Sequence, residues 1–121
     1  LEMNTRLQVE HPVTEAVTGL DLVALQIRVA LGDPLGVAQT HVTLQGHAIE
    51  ARLYAEDPSA GFLPSAGPIA LWRPSALVRV DAGIAEGGAV SAYYDPMVAK
   101  LIAHGPNREE ARRTLIAALK D

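Results

Sequence analysis

Cysteine is absent from the 121 residues, which excludes disulfides, thiolate metal sites and thiol nucleophiles. Basic residues are too few to wrap nucleic acid, because ten Lys and Arg stand against fourteen Asp and Glu, a formal net charge of −4. No apolar run approaches the roughly 20 residues of a bilayer span, and Leu1–Arg6 lacks the features of a signal peptide. Neither nucleic acid nor a membrane is therefore expected as a partner.

Apolar residues are plentiful, at 49% of the chain, against 20% charged residues. A chain of this size can form one core that buries roughly two-thirds of the unfolded surface, so we expect a globular fold without a long disordered tail. The sequence opens at Leu1 without a methionine and reaches Asp121 in a helical pattern without a stop signal. We therefore expect an excerpt from a larger protein.

The first ten residues alternate polar and apolar side chains, which predicts an extended strand with one polar face. A straight strand would separate Glu2 and Glu10 by about 26 Å, at roughly 3.3 Å per residue, so a shared site requires a bend. Pro12 is expected to keep His11 out of the helical region and to restart the chain in a new direction.

Helical patterns follow this segment. Thr14–Gly19 predicts a short helical turn, and Asp21 is a candidate N-cap for a helix over Leu22–Leu31, which Gly32 would end. The turn-forming run Asp33–Gly36 predicts a boundary, with one unit before it and another after it.

The second unit is predicted to be mostly antiparallel β-structure closed by a helix. The expected strands are His41–Glu56 with a break at Gly46, Ile69–Trp72, Leu77–Asp81 and Met97–His104. Asn107 is the expected N-cap of the last helix, with Glu110 in the capping-box position. The apolar stripe of this helix is predicted to comprise Ala111, Leu115, Ala118 and Leu119.

The polar face of the first segment carries side chains suited to metal, anion or proton binding, namely Glu2, Asn4, Arg6, Gln8 and Glu10. Carboxylate and amide oxygens are hard ligands for Mg²⁺, an arginine can bind an anion through two hydrogen bonds, and a carboxylate can act as a base. An exposed strand edge with incidental charges explains the same pattern, and composition alone does not decide between the two.

Long motifs carry a resemblance to one family. The run EMNTRLQVEHPVTE, Glu2–Glu15, resembles the signature at the end of the ATP-grasp domain of biotin carboxylases. Five further runs resemble that family's C-terminal domain in the same order: Gly46–Arg52, Ala55–Pro58, Phe62–Ser65, Tyr93–Met97 and Lys100–Ile102. The variant RLYAEDP is most similar to the biotin-containing subunits of acyl-CoA carboxylases, particularly the methylcrotonyl type.

The resemblance implies an α+β fold in two parts. Residues 1–35 would be the tail of an ATP-grasp domain, and residues 36–121 a truncated, mainly antiparallel β C-terminal domain with a terminal helix. The implied reaction uses ATP and bicarbonate to carboxylate biotin on a carrier, through carboxyphosphate, as one step of acyl-CoA carboxylation.

The same resemblance implies roles for individual residues. Glu2 and Asn4 match ligands of Mg²⁺ or Mn²⁺ at the nucleotide phosphates. Glu10 matches the general base that takes the proton of bicarbonate. The bicarbonate pocket would be formed by Arg6, Gln8 and the backbone of Val9.

Arg52 matches the residue that stabilises the enolate-like form of biotin. From its spacing alone, an ion pair with Glu50 or Glu56 on the strand face is the simpler interpretation, and only the resemblance reverses it. Lys100 is expected to be an ordinary strand residue that aids solubility. No metal site is expected from the four histidines, which share no spacing: His11, His41, His47 and His104.

The family's glycine-rich phosphate loop, adenine pocket and phosphate-binding lysine belong upstream of Leu1, so we expect the chain alone to be inactive. The implied partners are a biotin carboxyl carrier domain, a carboxyltransferase and a second copy of the full enzyme. The implied compartment is the cytoplasm for a bacterial source, with the mitochondrial matrix open for a eukaryotic one. Two alternatives remain: a noncatalytic folding or dimerisation module, and another ATP-grasp ligase such as a carbamoyl-phosphate-forming enzyme.

Overall fold

The computed structural model describes residues 1–121 and has an α+β architecture, as predicted. Its helices are α1 (His11–Thr18), α2 (Leu22–Ala30) and α3 (Arg108–Lys120). Its strands are β1 (His47–Tyr54), β2 (Glu56–Asp57), β3 (Leu63–Pro64), β4 (Gly67–Pro68), β5 (Arg79–Ala82), β6 (Ala89–Val90) and β7 (Met97–Gly105). Short 3₁₀ turns cover Gln39–His41 and Pro58–Ala60. None of the three helices has the length and hydropathy that a membrane-spanning helix requires.

An antiparallel sheet in the order β1-β7-β5 is the frame of the fold, and two-stranded pairs β2-β3 and β4-β6 lie outside it. In the register, Leu101 of the central strand lies between Ala51 and Val80. Successive side chains on a strand point to opposite faces, so these three residues share one face of the sheet. The neighbouring row of paired residues lies on the opposite face.

The core forms where α3 packs on that apolar face. Leu101, Ala103 and Leu115 are its buried centre, and four partly buried residues pack against it: Ile49, Ala51, Val78 and Val80. This burial removes apolar surface from water, which is the main force holding α3 to the sheet.

Helix α3 begins as predicted, since Asn107 Oδ1 accepts a hydrogen bond from the Glu110 N–H at 2.9 Å. The capping box is only half formed, because the Glu110 carboxylate lies 3.7 Å from Arg113 and makes no hydrogen bond back to Asn107. Leu119 was expected on the apolar stripe and is instead 55% exposed.

The strand predicted over the first ten residues is wrong. The chain bends at Arg6 and turns at Val9–Glu10, and residues 1–7 make no backbone–backbone hydrogen bond. A strand needs a neighbouring strand to pair its N–H and C=O groups, and alternation in the sequence does not supply one.

Helix α1 begins at His11, three residues before the predicted Thr14, so His11 is not kept out of the helical region. Pro12 lies in the first turn, where its missing N–H would have had no helical partner. Helix α2 begins as predicted, with Asp21 Oδ1 accepting from the Ala24 N–H at 2.8 Å.

The first long strand is shorter than the predicted His41–Glu56, since β1 covers only His47–Tyr54. Gly46 ends the irregular stretch with a φ of +68°, and a Cβ there would lie 2.4 Å from the Gly105 carbonyl oxygen, so the position requires glycine. Strand β7 extends the prediction by one residue, to Gly105.

Two other strands are displaced from their predicted positions. No strand forms over Ile69–Trp72, where the Trp72 N–H donates to the Glu86 carboxylate at 3.1 Å. The paired residues lie earlier in the chain, in β4, which pairs with β6. Strand β5 starts at Arg79, two residues later than predicted.

Candidate active site

Charged side chains occupy the sheet face opposite the core. Arg52, Lys100 and Asp81 are direct neighbours across β1, β7 and β5. The adjoining row on the same face carries Glu50 and Arg79. Helix α1 lies against β1 and β7, so part of this polar face is shielded from water, where charge interactions are stronger than in bulk solvent.

Arg52 connects this face to the segment before α1. Its Nη2 donates to Glu10 Oε2 at 2.9 Å, and its Nε lies 3.7 Å from Glu50 Oε1. A hydrogen bond with Tyr54 raises the pKa of Arg52, and the carboxylates of Glu10 and Glu50 raise it further. The Arg52 guanidinium therefore lies between two carboxylates, with its side chain 39% exposed.

Glu50 lies beneath this pair. Its side chain is only 5% exposed, and its Oε2 has no hydrogen-bond partner. Burial raises the pKa of Glu50, and the cations Lys100 and Arg52 partly offset that rise.

Lys100 is not the solubilising residue that its position suggested. Its side chain is 12% exposed, its Nζ donates to the Val9 carbonyl at 2.9 Å, and Asp81 Oδ2 lies 3.8 Å away. The signal that could have identified it is a single charge within an otherwise apolar strand, because buried lysines require partners.

A cleft of about 840 Å³ lies between the segment before α1 and helix α2. Arg6, Gln8 and Glu10 line one side, and apolar side chains of α2, including Leu22 and Leu25, line the other. The structure thus brings three of the predicted site residues into one cleft and joins Arg52 to it through Glu10.

Glu2 and Asn4 lie outside this group. Both are exposed, and Asn4 Oδ1 accepts a hydrogen bond from Arg6 Nη1 at 3.2 Å. No group of three or more His, Asp or Glu side chains is arranged to hold a metal. Within the predicted set, Glu2 and Asn4 alone would therefore provide oxygen ligands to a metal ion.

A second ionic network fixes α1 on the sheet, and no local pattern in the sequence predicts it. Arg79 donates to Glu15 Oε2 at 2.7 Å and binds Asp81 through two hydrogen bonds of 2.8 and 2.9 Å. The Leu22 N–H donates to Glu15 Oε1 at 2.8 Å, which joins α2 to α1. Spacing gives no signal for these contacts, since Glu15 and Arg79 are 64 residues apart.

The carboxylates of this network are held ionised. Burial alone would raise the pKa of Glu15, but hydrogen bonds from Arg79 and the Leu22 N–H outweigh it, so the net direction is downward. The Arg79 guanidinium lowers the pKa of Asp81. His11 Nδ1 lies 3.3 Å from Glu15 Oε1, so this histidine belongs to the network.

Two family models match the chain. The model described as "Biotin carboxylase C-terminal domain" matches residues 50–121. The model described as "Carbamoyl-phosphate synthase L chain, ATP binding domain" matches residues 1–38.

Curated relatives match over nearly the whole chain. The Arabidopsis thaliana methylcrotonoyl-CoA carboxylase subunit alpha, mitochondrial, is 54% identical over 100% of this chain and 16% of its own length. The Ruegeria pomeroyi propionyl-CoA carboxylase alpha chain is 50% identical over 98% of this chain and 21% of its own. The chain therefore spans about a fifth or less of these relatives.

Solved structures show the same fold. The K. lactis urea amidolyase has a TM-score of 0.94 and 47% identity, covering 100% of this chain and 7% of the other. The biotin carboxylase subunit of pyruvate carboxylase has a TM-score of 0.90 and 48% identity, covering 98% of this chain and 27% of the other. With a family model matching more than half of its residues, the chain belongs to the biotin carboxylase family through that family's C-terminal domain.

Proposed function

We propose that this chain forms, within a longer biotin carboxylase, the wall of the active site that deprotonates bicarbonate and stabilises biotin. The observation that carries the proposal is the 2.9 Å ion pair between Glu10 and Arg52, beside the cleft that Arg6 lines. Its two members come from the two segments that the two family models match, residues 1–38 and 50–121.

Glu10 is the general base in this proposal. It takes the proton of bicarbonate, the freed oxygen attacks the terminal phosphorus of ATP, and the bond from that phosphorus to ADP breaks, which gives carboxyphosphate. Bicarbonate is already an anion, so removal of its last proton needs a fixed cation, and Arg6 keeps its charge at any working pH. The Gln8 side chain and the Val9 backbone complete the bicarbonate pocket.

Arg52 serves the second half of the reaction. Negative charge develops on biotin when its ring nitrogen loses a proton, and a guanidinium already in place stabilises that charge without reorganising. The hydrogen bond to Glu10 and the nearby Glu50 carboxylate orient the guanidinium, which is cationic at any working pH.

Glu2 and Asn4 fit a magnesium or manganese ion through the chemistry of their donor atoms. A carboxylate and an amide oxygen are hard ligands, and Mg²⁺ in such sites takes one or two protein carboxylates with substrate phosphates for the rest. The ion would neutralise charge on the transferred phosphoryl group. Both side chains are exposed and therefore accessible to a nucleotide.

The wider assembly is part of the proposal. Residues 1–35 would end an ATP-grasp domain, and residues 36–121 would form the C-terminal domain. The enzyme would act as a homodimer with a biotin carboxyl carrier domain and a carboxyltransferase. We place it in the cytoplasm for a bacterial source and in the mitochondrial matrix for a eukaryotic one, since relatives such as the Arabidopsis thaliana protein are mitochondrial.

The experiment measures ATP cleavage by the full-length protein with bicarbonate and free biotin supplied separately and together. The proposal predicts phosphate release that needs bicarbonate and is stimulated by biotin. A carbamoyl-phosphate-forming ligase is the second candidate, favoured by the family model over residues 1–38, and it would show bicarbonate dependence without any response to biotin. Absence of nucleotide cleavage under every condition would favour a noncatalytic folding or dimerisation module.

A further inference from the structure

Lys100 is the one lysine on the polar face of the sheet, and its ammonium group donates a hydrogen bond to a backbone carbonyl. Its Nζ donates to the Val9 carbonyl at 2.9 Å across 91 residues of sequence. The carbonyl belongs to the peptide unit that carries the Glu10 N–H. A charge-assisted bond to this group therefore restrains Val9 and Glu10 together.

Few other hydrogen bonds join the Gln8–Glu10 segment directly to the sheet. Residues 1–7 make no backbone–backbone hydrogen bond, and the bonds of the following turn are local, from the His11 N–H to Gln8 and from the Val13 N–H to Glu10. The connections from the segment to the sheet are the Lys100 bond to Val9 and the Arg52 pair with Glu10.

We infer that Lys100 is a positioning residue that anchors the Gln8–Glu10 segment to the sheet through the Val9 carbonyl and thereby sets the affinity for bicarbonate. This inference rests on the proposed function, in which that segment forms the bicarbonate pocket. Lys100 itself does not contact bicarbonate in this account, because its ammonium group is engaged on the backbone.

The surrounding charges suit a fixed ammonium group at this place. Lys100 and Arg52 are direct cross-strand neighbours, and like charges in that relation repel. Asp81 Oδ2, at 3.8 Å from Nζ, and the buried carboxylate of Glu50 offset that repulsion. The Lys100 ammonium group is thus stabilised beside Arg52 and donates to the Val9 carbonyl.

The first test compares kinetics in the full-length enzyme. In Lys100→Met, which keeps the apolar stem and removes the donor, kcat/KM for bicarbonate is expected to fall about ten- to hundredfold. The KM for ATP is expected to stay unchanged, because the proposed site places the nucleotide phosphates at Glu2 and Asn4, outside residues 8–10. Lys100→Arg, which can still donate to Val9, should recover most of the loss, and Lys120→Met, at an exposed lysine of α3, should match the wild type.

The second test does not depend on activity. Amide hydrogen exchange at His11 and Val13, whose N–H groups donate to Gln8 and Glu10, is expected to quicken at least several-fold in Lys100→Met, with α3 unchanged, because the turn loses its anchor. Unchanged exchange at His11 and Val13, or an equal rise in the KM for bicarbonate and for ATP, would overturn the inference.

The two proposals fail in distinguishable ways. A wild-type enzyme without bicarbonate-dependent ATP cleavage contradicts the proposed function, and with it the role of Lys100 in bicarbonate affinity. An active wild type whose Lys100→Met variant keeps its kcat/KM for bicarbonate contradicts the positioning role alone.

Discussion

Arg52 of strand β1 donates a 2.9 Å hydrogen bond to Glu10, which lies 42 residues earlier in the segment before α1. The pair therefore joins two parts of the chain that separate family models match. One partner is the proposed base for bicarbonate and the other the proposed cation for biotin. The two half-reactions would then take place at adjoining positions on one face of the sheet.

Replacing Glu10 tests the proposed base. Glu10→Gln keeps the size of the side chain and its ability to accept a bond from Arg52 but removes its basicity. Bicarbonate-dependent ATP cleavage by the full-length enzyme is expected to fall about 10²- to 10⁴-fold. Glu109→Gln is the control, because Glu109 pairs with Arg112 on the exposed face of α3; equal rates in the two variants would remove Glu10 from the mechanism.

Gly46 tests whether the turn into β1 depends on glycine. Gly46→Ala places a Cβ 2.4 Å from the Gly105 carbonyl oxygen at a φ of +68°, whereas Gly19→Ala has a φ of +72° and nothing within 4 Å. Gly19→Ala is expected to cost about 1 kcal/mol of unfolding free energy, and Gly46→Ala about 1–3 kcal/mol more. Denaturant unfolding of both variants measures the difference, and equal losses would show that the clash is relieved without cost.

The network around Arg79 predicts a dependence of stability on pH. Glu15 and Asp81 have pKa values below their ordinary 4.5 and 3.8 in the folded state. The unfolded chain therefore binds protons first as pH falls, so the stability from these groups is complete above about pH 5 and is lost at lower pH.

Arg79→Met removes the cation that lowers both pKa values. The variant is expected to be less stable at pH 7 and to show a weaker loss of melting temperature between pH 6 and pH 3 than the wild type. Arg73→Met is the control, because Arg73 is exposed and pairs with no carboxylate. Parallel pH curves for the wild type and Arg79→Met would contradict the network's role.

The isolated 121-residue chain is expected to have no carboxylase activity. It spans 16% and 21% of the two curated relatives, and the proposed site supplies residues for bicarbonate and biotin but no phosphate-cradling loop. Incubation of the purified chain with ATP, bicarbonate and biotin should therefore release no phosphate above background. Biotin-stimulated release would show that these residues suffice.

Local signals in the sequence predicted the elements that depend on local chemistry. Asp21 and Asn107 cap the helices that they were expected to cap, because a side-chain oxygen at that position satisfies free N–H groups of the first turn. The pattern over Met97–His104 likewise predicted a strand, and β7 forms there.

Elements that depend on distant partners were not predictable in this way. The alternation before Glu10 predicted a strand, yet no neighbouring strand is there to pair with it. Nothing near Lys100 in the sequence indicates that its partner is the Val9 carbonyl, 91 residues away. The proximity of Arg52 and Glu10 could be expected only from the family resemblance, since spacing alone favoured an ion pair within the strand.

The decisive measurement is the rate of biotin carboxylation by Arg52→Ala in the full-length enzyme, with Arg112→Ala on the exposed face of α3 as the control. If Arg52 stabilises the charge that develops on biotin, the rate of Arg52→Ala falls by several orders of magnitude at an unchanged melting temperature, and the rate of Arg112→Ala stays normal. An Arg52→Ala enzyme that is folded and carboxylates biotin at the wild-type rate would contradict this role of Arg52.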